Sequence, residues 1–346
     1  MAIIELDYDN FNEVPLGLSP EAIEKKKKRQ KIRGSFLLMI LFVIAFSSML
    51  VFANTPISTD AMFEIFARRF NKTYRTSVQL YRAKEIFAEH YKVFLEAVHS
   101  QPQASFDWRE WMDLPMEEVI EMYSLMPRPY SKCSEERKGN IASTMKFTAE
   151  LPKSINWINF TFPVRDQGRC GSWAFAAVSV AETSIAVNEG ANRTNWKVPL
   201  SEQELIDCSR KIKPTSCIDG TVQEAMLWAF QRGISPASEY QYTQSIGECQ
   251  HGKHTVIHPM SWALVNIPAS ESFIQYFVAT RGPATTEFFV PESLLYYNGG
   301  VYNDENCIQK GVGTQYATII GYGVENGMNY WLIKNSWGAE WGDKGY

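Results

Sequence analysis

Residues 172–187, SWAFAAVSVAETSIAV, are compatible only with a helix that is covered on every side. A surface helix carries a polar face at a period of about 3.6 residues. This run has no such face, and Glu182 is its single charge. It must therefore lie at the centre of whatever the chain builds. Ser172 is a good N-cap type and marks the start. Two shorter helices follow. "SEQELIDCS" opens on Ser201 with Glu204 three residues on, a capping-box pattern. "TVQEAMLWAFQRG" is stopped by Gly233. After about Ile257 the texture becomes strand-like, in "WALVNI", "ATTEFFV", "YATIIGYG" and "NYWLIKNSW". A helical half thus precedes a strand-rich half. The expected class is α+β with two lobes, and the boundary between them is a natural cleft.

A separate helical region is expected over residues 60–126. Phe63, Phe66, Phe70 and Tyr74 fall at three- and four-residue steps. A second helix begins near Val78 and aligns Phe87, Tyr91, Phe94 and Val98. "QPQAS" at 101–105 breaks it. "MDLPMEEVIEMYSLM" restarts a helix near Met116, with Pro115 at its first turn. Residues 127–150 read as a linker, polar and rich in Ser, Thr and Lys from Ser131 onward.

The N-terminus has a different character. Residues 1–34 are polar, and seven basic residues lie between Lys25 and Arg33. Directly after them, Ser35 to Ala53 is 19 residues without a charge. That is about the length needed to cross a hydrocarbon core of roughly 30 Å. A cleaved signal peptide competes with this reading, but the long polar leader and the length of the apolar run favour an anchor. The expected topology is a single pass through residues 35–53. The basic tail stays cytoplasmic, and everything beyond lies in a lumen or outside the cell. All six cysteines (Cys133, Cys170, Cys208, Cys217, Cys249, Cys307) lie after the span, as suits disulfides in an oxidising compartment. So do three glycosylation triplets, at Asn71, Asn159 and Asn192. The net charge of −4 is mild and argues against a nucleic-acid partner. No cofactor or metal is implied. His251, His254 and His258 cluster in sequence, and loop histidines are a commoner reading for them than a zinc set.

Five ordered motifs over residues 151–346 carry a specific resemblance: "LPKSINW", "PVRDQGRCGSWAF", "SEQELIDC", "GYG" and "NYWLIKNSWGAEWGDKGY". This half resembles the papain family of cysteine proteases, of the cathepsin L-like kind. Residues 60–126 resemble the family's inhibitory propeptide more loosely. Phe87 and Phe94 match its long-helix signature, while Gln79, Ala83 and His90 stand where Glu, Arg and Asn are usual. The resemblance implies the papain-like two-lobed fold, with a helical lobe and a β-barrel-like lobe. It implies bridges Cys170–Cys217 and Cys208–Cys249. It leaves Cys133 and Cys307 open: paired together, paired with another chain, or free. The family continues past the position of Tyr346 with a further barrel strand, so an exposed sheet edge is expected here.

The family's chemistry needs a thiolate beside an imidazolium, an amide that orients the imidazole, and donors for an oxyanion. By resemblance Gln167 is an oxyanion donor, Asn335 the orienting amide, and Trp337 the shield over it. The nucleophile and base positions are degenerate. The family's Cys-Gly-Ser-Cys-Trp is here Cys170-Gly171-Ser172-Trp173, so either the nucleophile is deleted or Ser172 occupies its slot. Its Asn-His-Ala is Gln315-Tyr316-Ala317, which aligns Tyr316 with the imidazole. A serine hydroxyl needs a base, and a phenol with a pKa of about 10 is protonated at neutral pH. Gly220 aligns with the glycine that contacts an extended peptide, and Asp219 replaces another glycine beside it. The expectation is a membrane-anchored, catalytically inactive homologue that binds peptides or proteins, with its own propeptide-like region as one groove occupant. The alternative is a working peptidase, either with Ser172 as an unusual nucleophile or from a transcript that carries a cysteine before Trp173.

Overall fold

The computed structural model describes residues 58–127, 150–188, 198–210, 216–252, 255–257 and 271–346. Residues 1–57, and with them the basic tail and the uncharged run, lie outside that set, as do Cys133, Asn192, His254, His258 and "WALVNI". Among the described residues no helix is long and apolar enough to cross a membrane. The chain divides into Met1–Met62 and Phe63–Tyr346. Of the first unit only the opening of a helix is described, where the Ala61 N–H meets the Ser58 hydroxyl at 3.3 Å.

Helix α1 spans Thr59–Arg69 and α2 spans Ser77–Ser100. The start of α2 is fixed by a reciprocal cap. Thr76 Oγ1 accepts the Gln79 N–H, while Gln79 Oε1 accepts the Arg75 N–H. The expected aromatic core forms, as Phe63, Phe66 and Phe87 meet at ring distances of 4.9–6.0 Å. The buried face of α2 differs from the expected one. It is Ala83, Phe87, His90, Phe94 and Ala97, and Val98 is exposed. Large apolar side chains suggested Val98, but two alanines and a histidine join Phe87 and Phe94 on the buried face.

Strand β1, Ala104–Phe106, leaves this region and pairs antiparallel with a strand far downstream, β4, Tyr297–Gly300. Gly300 has φ +82°, and a Cβ there would lie 2.3 Å from the Gln103 carbonyl, so only glycine fits the pairing. Helix α3, Met116–Met122, starts after Pro115.

In the second half, α4 (Ser172–Asn188) is the expected central helix. Every residue from Gly171 to Ala186 is buried. It packs on α5 (Glu202–Cys208) and α6 (Val222–Arg232) around Trp173, Ala177, Val178, Leu205, Ile206 and Met226. Ser201 caps α5 by accepting the Glu204 N–H at 3.1 Å. The other half of the capping box does not form. The Glu204 carboxylate turns to the Ser235 N–H and to His251 Nδ1, because Ser201 N–H is already bonded to the Ser235 carbonyl. The disulfides are Cys170–Cys217 and Cys208–Cys249. Cys307 is free and half-buried.

The strand-rich half is less purely β than its sequence suggested, since it includes α7, Glu271–Thr280. Its strands are β2 (Ile155–Asn156), β3 (Ala284–Pro291), β5 (Gly311–Glu325) and β6 (Met328–Lys334). They form a four-stranded antiparallel sheet in the order β2-β5-β3, with β6 also on β5. No barrel closes among the described strands. Long β5 is the spine of the sheet and lies against α4, where Thr318 Oγ1 meets the Ala176 carbonyl at 3.4 Å. The seam between α4 and β5 joins the two halves, and the candidate site lies on it.

Candidate active site

The buried stem of α4 fixes one wall of the site. Ser172 opens the helix and is fully buried. Ser172 is the first residue of α4 and directly follows the Cys170–Gly171 segment, whose Cys170 is bridged to Cys217. Its Oγ accepts the backbone N–H of Tyr316 at 2.9 Å. Trp173 follows into the core, with its indole N–H on the Cys217 carbonyl at 3.1 Å.

Gln167 is held by its own backbone. Its N–H donates to the Ser336 carbonyl at 2.8 Å, and its carbonyl accepts the Tyr242 hydroxyl. Asn335 directly follows β6, and its Oδ1 accepts the Ser336 N–H at 2.9 Å. The retained positions Gln167, Asn335 and Trp337 are therefore gathered in one place, all buried.

The group between Gln167 and Asn335 is not the one the alignment placed there. Gln315 and Tyr316 are consecutive on β5, so their side chains leave opposite faces of the strand. Gln315 points into the site and is fully buried. Its Nε2 donates to Gln167 Oε1 at 2.8 Å and to Asn335 Oδ1 at 3.0 Å. The Ser336 hydroxyl closes the cluster by donating to Gln167 Oε1 at 2.6 Å. The Tyr316 ring instead packs against the core of the helical half. Burial, together with the charge and hydrogen bond of Glu287, pushes its phenol up to about 12. The alignment missed Gln315 and Ser336. The usable signal was strand alternation, which allows only one of two successive residues to face the cleft.

A second feature that sequence reasoning missed is the path of the chain after α3. Gln167 Nε2 donates to the main-chain carbonyl of Tyr123 at 3.0 Å. Ser124 Oγ reaches the Gly168 carbonyl at 3.1 Å. Met126 and Thr314 exchange two backbone hydrogen bonds, each of 3.1 Å. The Tyr123 ring meets Trp337 edge-on at 4.9 Å. Residues 123–126 thus run directly over Gln167 and the start of β5.

The remaining candidate positions lie elsewhere. Gly220 covers Trp173, and a Cβ there would lie 2.2 Å from the indole. Asp219 is exposed, and its carbonyl accepts from Arg210, whose guanidinium lies 5.3 Å from the Trp173 ring centre. Asn71 and Asn159 are exposed. The described histidines are engaged away from Ser172. His90 binds Glu292 and the Leu114 carbonyl, His99 the Leu95 carbonyl, and His251 Glu204. Among the described residues no group of three or more His, Cys, Asp or Glu side chains converges as a metal site.

In chemical terms the cluster is three neutral amides and the Ser336 hydroxyl. An amide nitrogen is not a base, so Gln315 can hold Gln167 and Asn335 in place but cannot take a proton from Ser172.

Residues 151–346 match the family described as papain family cysteine protease. The chain belongs to the papain family. Among its relatives, a cathepsin L-like proteinase from Phaedon cochleariae is 32% identical over 198 residues, 56% of this chain and 59% of its own length. Oryzain gamma chain from Oryza sativa subsp. japonica is 32% identical over 298 residues, 83% of this chain and 78% of its own. The digestive procathepsin L2 proteinase from Tenebrio molitor larval midgut matches with a TM-score of 0.61 at 25% identity, covering 84% of this chain and 93% of that one. The papain-like α+β fold of this chain is shared with that structure. Within that fold, Gln315 lies between Gln167 and Asn335, and Ser172 bonds to the backbone of the next residue, Tyr316.

Proposed function

We propose that this papain-family chain is a pseudoprotease, which binds a peptide or protein segment in its groove and does not cut it. One observation carries the reading: a buried glutamine amide, Gln315, bridges Gln167 and Asn335. Ser172 has a backbone amide as its partner rather than a base. In a comparable nucleophile–base system, losing either member costs on the order of 10⁶ in kcat. Residues 60–126 act as a propeptide-like cap, a role supported by the Tyr123 carbonyl on Gln167. The 19-residue uncharged run supports an anchor at residues 35–53, with residues 1–34 cytoplasmic and the papain-like part in a lumen of the secretory or endosomal system or outside the cell. The membrane, the cap and a groove-bound polypeptide are then the partners, and no cofactor takes part.

The test is the purified full chain with peptidyl fluorogenic substrates and a thiol-directed active-site probe. The expected result is neither turnover nor labelling within the cleft. Probe-sensitive turnover would remove the proposal.

A working peptidase is the second reading, and the intact placement of Gln167, Asn335 and Trp337 favours it. Transcript sequencing separates the two: a cysteine codon before Trp173 would restore the nucleophile. A third role, centred on the tail, predicts that deletion of residues 1–34 abolishes partner binding while the groove is untouched.

A further inference from the structure

His90 lies on the buried face of α2, and all its polar contacts beyond the helix are with other elements. Its Nδ1 is 2.7 Å from Glu292 Oε1, and its Nε2 is 2.9 Å from the Leu114 carbonyl oxygen. Both oxygens are acceptors, so both ring nitrogens must carry hydrogen for the two contacts to be hydrogen bonds. That is the imidazolium form. A neutral ring would turn a bare nitrogen lone pair towards one of the two oxygens. The Tyr296 hydroxyl donates to the same Glu292 oxygen at 2.6 Å and lies 3.2 Å from His90 Nδ1. The Trp111 ring stands edge-on to the imidazole at 5.4 Å, and Phe94 and Trp111 close over Tyr296.

We propose that His90 and Glu292 form an acid-tightened clasp that holds α2, and the 123–126 segment that follows from it, on the papain-like half. The clasp joins the N-terminal helical region to the short helix Glu292–Leu295 that precedes β4, the strand paired with β1. The groups facing it can be named. Glu292 comes from the short helix Glu292–Leu295 and Tyr296 from its C-cap, Glu89 from α2 itself, and the Leu114 carbonyl from the 107–115 loop. In that loop, Arg109 is spent on the Leu295 and Tyr297 carbonyls, and Asp113 on Lys72 and Tyr74. The Tyr296 hydroxyl is neutral, because burial and the Glu292 charge hold its pKa well above 10. Glu292 and Glu89 therefore supply the charge that His90 meets, and both favour the cation.

The sign follows from linkage. Burial alone would discourage protonation of His90, but the Glu292 hydrogen bond, the Leu114 carbonyl and the two carboxylate charges outweigh it, and its pKa is raised above 6.5. A histidine whose docked pKa exceeds its free value stabilises the docked state fully below the free value. It loses that contribution as pH rises through the docked value. Between the two values, docking strengthens by up to about tenfold per unit fall in pH.

The test is hydrogen exchange of α2 in the full chain from pH 8 to pH 5, corrected for intrinsic rates, for the natural protein and for His90→Asn and Glu292→Gln. The natural protein is expected to gain protection on acidification, by several-fold to about tenfold more than either variant. Parallel profiles for the natural protein and both variants would overturn the proposal. An NMR titration of the His90 ring in the natural chain is independent of whether the variants fold. A midpoint above the free-histidine value supports the clasp, and one at or below that value overturns it.

Discussion

The Gln167 side-chain amide donates to the Tyr123 main-chain carbonyl at 3.0 Å. By the family resemblance this amide is the oxyanion donor, and here it is occupied by the chain's own backbone. The contact is backed by the Met126–Thr314 backbone pair. Met126→Pro removes one of those two donors and leaves the Thr314 carbonyl without its partner. The expected loss is about 1–3 kcal/mol of local stability. Hydrogen exchange should accelerate over residues 123–126 and at Thr314, with the α4 core unchanged. Unchanged exchange there would mean that the pair does not hold the segment.

The consecutive residues Gln315 and Tyr316 predict different outcomes for attempts to rebuild a nucleophile–base couple. Only Gln315 projects between Gln167 and Asn335. Ser172→Cys combined with Gln315→His should therefore give a thiol that alkylates faster at pH 6 than Ser172→Cys alone. Each unit by which a neighbouring imidazolium lowers the thiol pKa raises the thiolate fraction about tenfold. Ser172→Cys with Tyr316→His should show no such gain, because that side chain lies on the other face of β5. Alkylation rates across pH for the three proteins decide it, and equal rates for the two double variants would contradict the placement of Gln315.

Gly220 is required by packing. A single Cβ there would overlap the fully buried Trp173 ring. Gly220→Ala should cost about 1–3 kcal/mol, the usual range for overpacking a filled site. Urea unfolding of the full chain measures it. A cost near zero would mean that the loop over Trp173 relaxes freely.

Arg165 lies between two buried carboxylates, at 2.6 Å from Glu182 and in contact with Glu202. Arg165→Met would leave both without a cation, and about 3–5 kcal/mol is expected for breaking such a buried network. Burial raises the Glu202 pKa, Arg165 opposes that, and the Glu182 charge adds to it. A carboxyl raised above its unfolded value takes up a proton more readily in the fold. The variant should therefore recover stability as pH falls towards the carboxylate range. Thermal melts from pH 7 to pH 4 check the sign, and a variant that only weakens on acidification would refute it.

What the sequence disclosed, and what it hid, follows from how local each cause is. The unbroken apolarity of residues 172–187 was enough to place α4 at the centre. Helix caps are equally local, and Ser201 acts as expected. The far half of that cap failed because Glu204 is claimed by Ser235 and His251 from distant segments. The seam of α2 was misjudged for the same kind of reason. Ala83, His90 and Ala97 are buried, and the partners of His90, Glu292 and Tyr296, lie some 200 residues away. At the site, Gln167, Asn335 and Trp337, singled out by motif order, lie buried in one place. Motif order could not say that Gln315 rather than Tyr316 would face them, since that depends on the pleat register of β5 against β3. The segment 123–126 carries no motif, and its position over Gln167 is set wholly by tertiary docking.

The most direct measurement is steady-state hydrolysis of a peptidyl fluorogenic substrate series, comparing the full chain with its Ser172→Ala variant at acidic and neutral pH. Indistinguishable, background-level rates are predicted, because the buried amide of Gln315 supplies no base to the serine. Turnover in the natural chain that disappears in Ser172→Ala would contradict the account.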